Sequence, residues 1–206
     1  MSLLNQQAFS PRILGMLLEL LLAEIGHESV DMVLAKANLP TEIAAPQPAS
    51  RLTSLAAAEN LGRILRALRT FYGRGARGTL IRIGRLLWPR MLESASMTEK
   101  AQVQVVRALP LTMRRKAALE LLARLLRTRS DGITIHTLDM DLMLVDRQTI
   151  SPSQPRESAA ICYVTIGLIQ ETLFWATGHE HDVEETGCRA AGNDDCEFKI
   201  TIGTGK

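Results

Sequence analysis

Apolar residues in the first 129 positions recur at the spacing of an α-helix. Between positions 10 and 39, leucines follow one another three and four residues apart, which gives a helix one apolar face, and Gly26 divides this stretch into two helices. The same spacing predicts a helix that Ser54 caps and that ends near Tyr72, with most of its arginines off the apolar face. Three more helices are predicted over 79–92, 98–108 and 112–127, with Pro89 as a candidate stop of the first of them.

The pattern changes to alternation after Gly132. Apolar residues occupy every second position over much of 133–144, which predicts one long strand or two short ones. A loop is predicted over 152–155, followed by a helical segment from 158 that ends at Gly178. The last alternation runs from Cys196 to Ile202, and the preceding "AAGNDD" is typical of a hairpin turn. Helices followed by a sheet that one helix interrupts predict an α+β fold, with 1–129 mainly helical and 130–206 containing the strands.

The composition is that of an ordinary globular protein. A chain of 206 residues can bury a substantial core, and this length favours a single domain over 1–206. The richest apolar run, 13–25, is interrupted by Gly15, Glu19 and Glu24, so we predict no membrane span. The amino terminus lacks the basic flank and the small-residue cleavage site of a secretory signal, and we therefore expect a cytoplasmic location.

Charge is distributed unevenly along the chain. Residues 51–129 carry 17 basic and four acidic side chains, a formal charge of +13, whereas residues 130–206 have −8 and the first fifty have −3. Such a basic region can attract nucleic acid, an anionic membrane or an anionic small molecule. Arginine on the solvent faces of amphipathic helices, partly facing the acidic region of the same chain or of a second subunit, accounts for the same pattern. We favour this second interpretation and do not expect a nucleic-acid partner.

Two of the three cysteines lie close together in "EETGCRAAGNDDCEFKITIG", positions 184–203. Folding this stretch as a hairpin can bring Glu185, Cys188 and Cys196 together, and Cys162, near the start of the preceding helix, would complete a set of four metal ligands. Four protein ligands leave no open coordination position, which favours a structural metal site over a hydrolytic one.

The sequence also allows three alternatives to this ligand set. His179 or His181 could replace Glu185 as a ligand. Cysteine is among the most buried residue types, so Cys162 could simply pack in the core. A disulfide between Cys188 and Cys196 is the third alternative, which a reducing compartment disfavours.

The run from Cys162 to Ile200, "CYVTIGLIQETLFWATGHEHDVEETGCRAAGNDDCEFKI", resembles the carboxy-terminal signature of the 4-vinyl-reductase domain family. That signature has a cysteine, a glycine-containing helix, the motif Glu-x2-Cys-x-Ala-x-Gly and a closing Cys-x-Phe. Here the motif residues are Glu185, Cys188, Ala190, Gly192, Cys196 and Phe198. The helical front half carries no comparable motif.

The resemblance implies a fold, a function and a cofactor. The family is a cytoplasmic small-molecule-binding module related in fold to TRAPP transport subunits, with helices on a twisted antiparallel sheet, and it is often dimeric. Its members in aromatic-responsive regulators hold a structural zinc through a helix cysteine, a glutamate and two hairpin cysteines, which are the positions of Cys162, Glu185, Cys188 and Cys196 here. We therefore expect a homodimer that holds zinc, binds a small hydrophobic or aromatic molecule and does no chemistry. The alternative is a role in bacteriochlorophyll synthesis, as a 4-vinyl reductase or a carrier of pigment precursors.

A hydrophobic ligand requires a cavity with few polar anchors. The candidates for its lining are aromatic residues and one histidine, although each is more often a core residue: Phe71, Tyr72, Trp88, His136, Phe174 and Trp175. Trp88 is the strongest of them, because a ring beside a guanidinium suits an aromatic ligand with a carboxylate. Three arginines are near it in sequence: Arg82, Arg85 and Arg90.

The stretch "GRGARG", Gly73 to Gly78, satisfies the G-x-G-x-x-G pattern of dinucleotide-binding proteins. That pattern binds pyrophosphate when a strand precedes it and a helix follows it. Here a predicted helix precedes it, so we interpret the stretch as a loop between helices and predict no nucleotide cofactor.

Overall fold

The helices come first in the computed structural model, which describes residues 10–45, 51–126, 132–147 and 157–202. Within these residues, six α-helices precede the sheet: α1 Pro11–Ile25, α2 His27–Lys36, α3 Ser54–Tyr72, α4 Ala76–Glu93, α5 Met97–Ala108 and α6 Leu111–Leu125. Only the first half of "GRGARG" lies between α3 and α4, as the short 3-10 turn Gly73–Gly75. The predicted loop is therefore too long, because Ala76, Arg77 and Gly78 already belong to α4. None of the helices in the described ranges is both long and apolar enough to cross a membrane.

Local signals fix where these helices begin and end. Gly26 takes a φ of 78°, which a side chain would disfavour, and it separates α1 from α2 as the sequence predicted. The cap of α3 is Thr53, one residue before the predicted Ser54. Thr53 Oγ1 accepts a hydrogen bond from the backbone N–H of Ala56 at 3.2 Å, which satisfies one of the free donors at the start of the helix.

The predicted stop at Pro89 is wrong, because α4 continues beyond it to Glu93. A proline inside a helix removes one N–H donor and crowds the carbonyl four residues earlier, here that of Arg85. Pro89 is exposed, while the opposite side of α4 packs in the core. The packing of α4 outweighs the local cost of the proline.

The sheet contains four strands: β1 Ile133–Leu138, β2 Asp141–Asp146, β3 Asp182–Gly187 and β4 Cys196–Thr201. Neighbouring strands are antiparallel and their order is β1-β2-β4-β3, so the last strand lies inside the sheet. Asp139 and Met140 form the turn between β1 and β2, where Asp139 takes a φ of 52°, a conformation that aspartate tolerates better than most residues. The predicted α+β fold is confirmed.

The helix α7, Tyr163–Thr177, connects β2 to β3 and forms the centre of the core. Its side chains are apolar on almost every side, as is typical of a fully surrounded helix, and it packs against α4, α6 and β3. Two glycines allow α4 and α7 to approach with their backbones in contact. Gly84 of α4 lies against the carbonyl of Val164, and Gly167 of α7 lies against the carbonyl of Ile81.

The prediction that this helix starts at 158 is wrong, because residues 157–162 have no regular secondary structure. Polar groups in this segment bind α3 instead of forming helical hydrogen bonds. Arg69 Nη1 donates to the carbonyl oxygen of Ala159 at 2.9 Å, and Arg69 Nη2 donates to Ser158 Oγ at 3.1 Å. Cys162 therefore lies immediately before α7 rather than within it. The loop predicted at 152–155 lies outside the described residues.

Candidate functional site

A cluster of three thiols and one carboxylate lies where α7 begins and β3 and β4 meet. The ligand atoms of Cys162, Glu185, Cys188 and Cys196 all lie within 4.8 Å of one another. Cys162 Sγ is 3.8 Å from Cys188 Sγ and 3.7 Å from Cys196 Sγ, and all three cysteines are buried. The structure thus brings together the four residues that the sequence suggested as metal ligands.

Strand alternation and one turn produce this convergence. Glu185 points to the partly buried, inner face of β3. The chain then reverses through a 3-10 turn that ends at Gly192, whose φ of 102° suits glycine. Asn193 Oδ1 accepts a hydrogen bond from the N–H of Cys188 at 3.1 Å and holds the turn closed. As a result, the buried side chain of Cys196 enters β4 beside Cys188.

Backbone donors support the cluster without satisfying all of its acceptors. The N–H of Cys162 donates to Glu185 Oε2 at 3.0 Å. The N–H of Arg189 donates to Cys196 Sγ at 3.3 Å. Glu185 Oε1 is buried and has no hydrogen-bond partner among the described residues. A buried carboxylate oxygen without a donor is costly, so this atom is poised to accept a proton or a cation.

The pKa shifts within the cluster also favour binding of a proton or a cation. Burial, together with the nearby Cys188 thiol, raises the pKa of Glu185 to about 8. Hydrogen bonds from Cys162 and Cys196 lower the pKa of Cys188, while hydrogen bonds to its neighbours and burial raise the pKa of Cys162. Ionisation of one group therefore opposes ionisation of the others, and full ionisation requires a compensating positive charge.

The sulfur–sulfur distances exclude the disulfide among the alternatives that the sequence left open. A disulfide has an S–S distance of about 2.05 Å, and all three cysteines are free. Tetrahedral metal coordination with metal–sulfur bonds of about 2.3 Å places two sulfurs about 3.8 Å apart. The separations of Cys162 Sγ from the other two sulfurs, 3.8 and 3.7 Å, fit that geometry.

The two alternative histidine ligands lie away from the cluster. His179 is exposed. His181 is buried beside α6, where Arg115 Nε donates to His181 Nε2 at 3.3 Å. His181 Nδ1 lies 2.9 Å from the carbonyl oxygen of His179. These two contacts fit a neutral ring that carries its proton on Nδ1.

The buried His181 predicts a loss of stability in acid. Burial lowers its pKa in the folded state, and the charge of Arg115 adds to this effect. Below the unfolded pKa of about 6.5, the unfolded chain takes up a proton that the folded chain does not, so the free energy of unfolding falls by up to about 1.4 kcal/mol per pH unit. Urea unfolding between pH 7.5 and 5.5 should show a shallower pH dependence for His181→Gln than for the unsubstituted protein. Equal pH dependence in the two proteins would contradict this assignment.

A groove of about 760 Å³, open on one side, lies between α6 and the turn that joins β1 to β2. Its volume is in the range of roughly 300–1,000 Å³ typical of ligand pockets. Its apolar lining comes from α6, the adjoining loops and the sheet: Leu109, Met113, Ala117, Met140, Leu142 and Ile202. Its polar lining is Thr112, Arg115, Lys116, Glu120, Thr137, Asp139 and Asp141. The sequence did not predict this groove, because its walls are far apart in the chain.

A second cavity, of about 30 Å³, lies in the core between α1, α3, α4, α7 and β2. Its lining is apolar apart from Asp146 and Thr165. This volume accommodates about one water molecule and is far below the roughly 150 Å³ of a cavity known to bind benzene. Asp146 is the strand partner of Cys196, so the cavity adjoins the thiol–carboxylate cluster.

Of the six candidates for the ligand lining, four occupy three separate places: Phe71, Tyr72, Trp88 and His136. Phe71 and Tyr72 are 48% and 36% exposed at the end of α3, with their ring centroids 4.9 Å apart. Trp88 is only 1% exposed and packs edge-to-face against Trp175 at 5.3 Å. His136 is exposed on β1, with its Nε2 2.9 Å from Thr134 Oγ1. None of the four lines the groove or the core cavity.

The arginines near Trp88 in sequence bind acidic side chains or lie on the surface. Arg82 Nε is 3.0 Å from Glu24 Oε2, and Arg90 is exposed. Arg85 binds two carboxylates, those of Glu171 and Glu180. Within the described residues, the guanidinium that lies over an indole is that of Arg107, 5.1 Å from the ring of Trp175.

Comparison with solved structures identifies other proteins with this fold. An H-NOX protein from Shewanella oneidensis in the Fe(II)NO ligation state is 13% identical, with a TM-score of 0.53 over 95% of this chain and 99% of that one. A point mutant of the T. Tengcongensis H-NOX is 14% identical, with a TM-score of 0.58 over 93% and 94% of the two chains. The phenol-responsive sensory domain of the transcription activator PoxR, with phenol, is 14% identical, with a TM-score of 0.51 over 69% and 73%.

No family model matches the sequence, and no curated protein matches it. At these identities the structural matches establish the fold alone. They overturn the assignment to the 4-vinyl-reductase family and to a TRAPP-related fold, because most of the structural neighbours are H-NOX domains. The prediction of zinc as the cofactor is wrong for the same reason, since the H-NOX structures are described by their heme and Fe(II) states.

The described residues of this chain do not fit a heme, although the fold is shared with heme proteins. Heme iron is held in proteins by histidine, cysteine, methionine paired with histidine, or tyrosine. Three of the chain's four histidines are exposed, and both ring nitrogens of His181 have partners. The three cysteines belong to the compact cluster, and the described lining of the groove contains no histidine, cysteine or tyrosine. We therefore derive no function through a heme.

Proposed function

We propose that this domain binds a small, predominantly apolar molecule and acts as a sensor. The groove between α6 and the β1–β2 turn carries the proposal, because it combines the volume of a ligand pocket with a largely apolar lining. A protein with the same fold is described as a phenol-responsive sensory domain, which supports the same class of function.

The charges around the groove favour a neutral ligand. Two basic and three acidic side chains border it, so its net formal charge is close to zero: Arg115, Lys116, Glu120, Asp139 and Asp141. A strongly anionic or cationic molecule would gain little electrostatic attraction in the groove and would lose its hydration. An aromatic ring with one hydroxyl group can contact the methionines and still find a hydrogen-bond partner among the polar side chains.

Filling the groove should weaken ligand binding. We expect Met113→Trp to weaken binding of 4-fluorophenol at least about tenfold, because an added indole would occupy the space between α6 and the β1–β2 turn. Met113 is 59% exposed, so the substitution should leave the core intact. Binding can be followed by ¹⁹F NMR, with 4-fluorobenzoate as a charged analogue that is expected to bind more weakly.

Met97→Trp is the matched control for this experiment. Met97 is 83% exposed at the start of α5 and is not among the residues that line the groove. Equal affinity of both tryptophan variants for 4-fluorophenol would place the ligand elsewhere. Failure of the unsubstituted protein to bind either probe at millimolar concentration would count against a small aromatic ligand.

We also propose that the thiol–carboxylate cluster holds one thiophilic metal ion in a structural role. Three features support this proposal: the tetrahedral sulfur–sulfur spacing, the unpartnered Glu185 Oε1 and the concentration of buried acidic groups. Such an ion would supply the positive charge that the cluster needs. It would also join the start of α7 to the hairpin of β3 and β4.

The remaining sequence predictions have unequal support. The comparisons give no support to a role in bacteriochlorophyll synthesis, and we do not propose such a role. The homodimer, the cytoplasmic location and the organisation of 1–206 as a single domain stay predictions. Light scattering coupled to size-exclusion chromatography tests the first of them.

A further inference from the structure

A short segment, residues 157–162, links α3 to the thiol–carboxylate cluster. At its start, Glu157 forms ion pairs with two arginines of α3. Arg66 Nε lies 3.0 Å from Glu157 Oε1, and Arg69 Nη1 lies 3.2 Å from Glu157 Oε2. The two arginines are three positions apart and so share one face of the helix, which lets both reach one carboxylate. Their side chains and that of Glu157 are only 14–25% exposed, which limits screening by solvent.

The backbone of the same residue binds the loop of the cluster. The N–H of Glu157 donates to the carbonyl oxygen of Ala190 at 2.7 Å. Ala190 is buried in the turn between Cys188 and Cys196. Glu157 therefore contacts α3 through its side chain and the loop that carries two of the thiols through its main chain.

The last residue of the segment is Cys162, the third thiol of the cluster. The side chain of Ile161 is buried in the core, and Cys162 follows it, with its N–H bound to Glu185 Oε2. Arg69 also holds the middle of the segment through its hydrogen bonds to Ser158 and Ala159. The position of Cys162 thus depends on a segment that α3 restrains along its length.

We propose that Glu157 is a positioning residue that couples α3 to the metal site. This inference rests on the proposed metal site and assigns to Glu157 a function outside the ligand set. Its carboxylate, fixed by Arg66 and Arg69, holds the segment at the distance from which Cys162 reaches the other three ligands. In the opposite direction, a filled cluster restrains the segment and, through Glu157, the second half of α3. Because Leu61 and Leu65 of α3 line the core cavity, the coupling also reaches the interior of the domain.

Titration with Co²⁺ tests the positioning function, because thiolate coordination of this ion gives visible absorption bands. We expect Glu157→Gln to weaken Co²⁺ binding about 10- to 100-fold, the usual range for residues that orient metal ligands. The bands themselves should be unchanged, since the four ligands stay the same. Glu184→Gln is the matched control, because Glu184 is an exposed side chain next to a ligand in sequence. It should bind Co²⁺ as the unsubstituted protein does.

Hydrogen exchange supplies a readout that a merely structural contact would not alter. In the unsubstituted protein, Co²⁺ loading should increase protection of the backbone amides around Arg66 and Arg69 relative to EDTA-treated protein. In Glu157→Gln the metal should no longer change protection in α3, even at saturating Co²⁺. Arg69→Gln should give the same result, and combining it with Glu157→Gln should add little further effect.

The outcomes separate failure of this inference from failure of the metal site. Thiolate–Co²⁺ bands in the unsubstituted protein, with unchanged affinity in Glu157→Gln, would overturn the positioning function alone. Absence of such bands in the unsubstituted protein would overturn the metal site and this inference with it. Weakened binding without any change in α3 protection would reject the coupling to α3.

Discussion

Gly84→Ala should severely destabilise the fold. A Cβ at position 84 would overlap the carbonyl oxygen of Val164 and would lie 2.9 Å from the backbone N of Leu168. These are backbone atoms of α7 and cannot move aside as a side chain can, so the helices would have to separate. Overpacking usually costs about 1–3 kcal/mol and occasionally more, and we expect at least about 3 kcal/mol here. That is a large share of the roughly 5–15 kcal/mol that stabilises a typical domain. Urea unfolding followed by circular dichroism measures the loss.

The same helix provides the control. Gly78 lies in α4, and a Cβ there would meet no atom within 4 Å. Gly78→Ala should therefore stabilise the protein by about 0.5–1 kcal/mol through helix propensity alone. Gly167→Ala should behave like Gly84→Ala, because its Cβ would meet the backbone of Ile81. If Gly84→Ala and Gly78→Ala had similar unfolding free energies, the close contact between α4 and α7 would be wrong.

Cys196→Ser should cause a loss of stability of similar size, through loss of the proposed metal ion. A ligand present at 1,000 times its dissociation constant stabilises the folded state by about 4 kcal/mol, and removal of one of four protein ligands should forfeit most of that. EDTA treatment of the unsubstituted protein should produce a similar decrease in thermal stability. Elemental analysis across the first-row transition metals should find about one ion per chain before treatment and none in the variant.

Thr201→Ser is a conservative control on the same strand. Thr201 is exposed at the other end of β4, so its substitution should leave the metal content unchanged. A metal-free protein as isolated, with the same stability before and after EDTA treatment, would refute the metal site. Equal metal content in Cys196→Ser and the unsubstituted protein would remove Cys196 from the ligand set.

Periodicity predicted the order and type of most elements because most helices and strands bury one face. The errors occur where contacts between distant segments overrule a local signal. Pro89 does not end α4, because the packed side of that helix holds it together. The segment from 158 to 162 is not helical, and Arg69 of α3 binds the carbonyl oxygen of Ala159, which a helix would use internally.

The candidate sites differ in how far sequence could predict them. Glu185, Cys188 and Cys196 are near one another in the chain, so a hairpin is enough to gather them. The groove depends on how α6 lies against the β1–β2 turn, and its walls, such as Met113 and Met140, are not neighbours in sequence. The aromatic residues proposed to line a ligand pocket stay a prediction for a related reason. Burial and packing partners, which the sequence does not give, decide whether a side chain such as that of Trp88 is available to a ligand.

The position of β4 in the sheet bears on how the protein is made. β4 pairs with β2, yet Asp146 and its partner Cys196 are separated by α7 and β3. At about 5–20 residues per second on the ribosome, the edge of β2 that β4 will cover stays unpaired for several seconds after the β1–β2 hairpin has been made. During that interval its exposed backbone can pair with other nascent chains, so slow translation or crowded expression should favour aggregation of this protein.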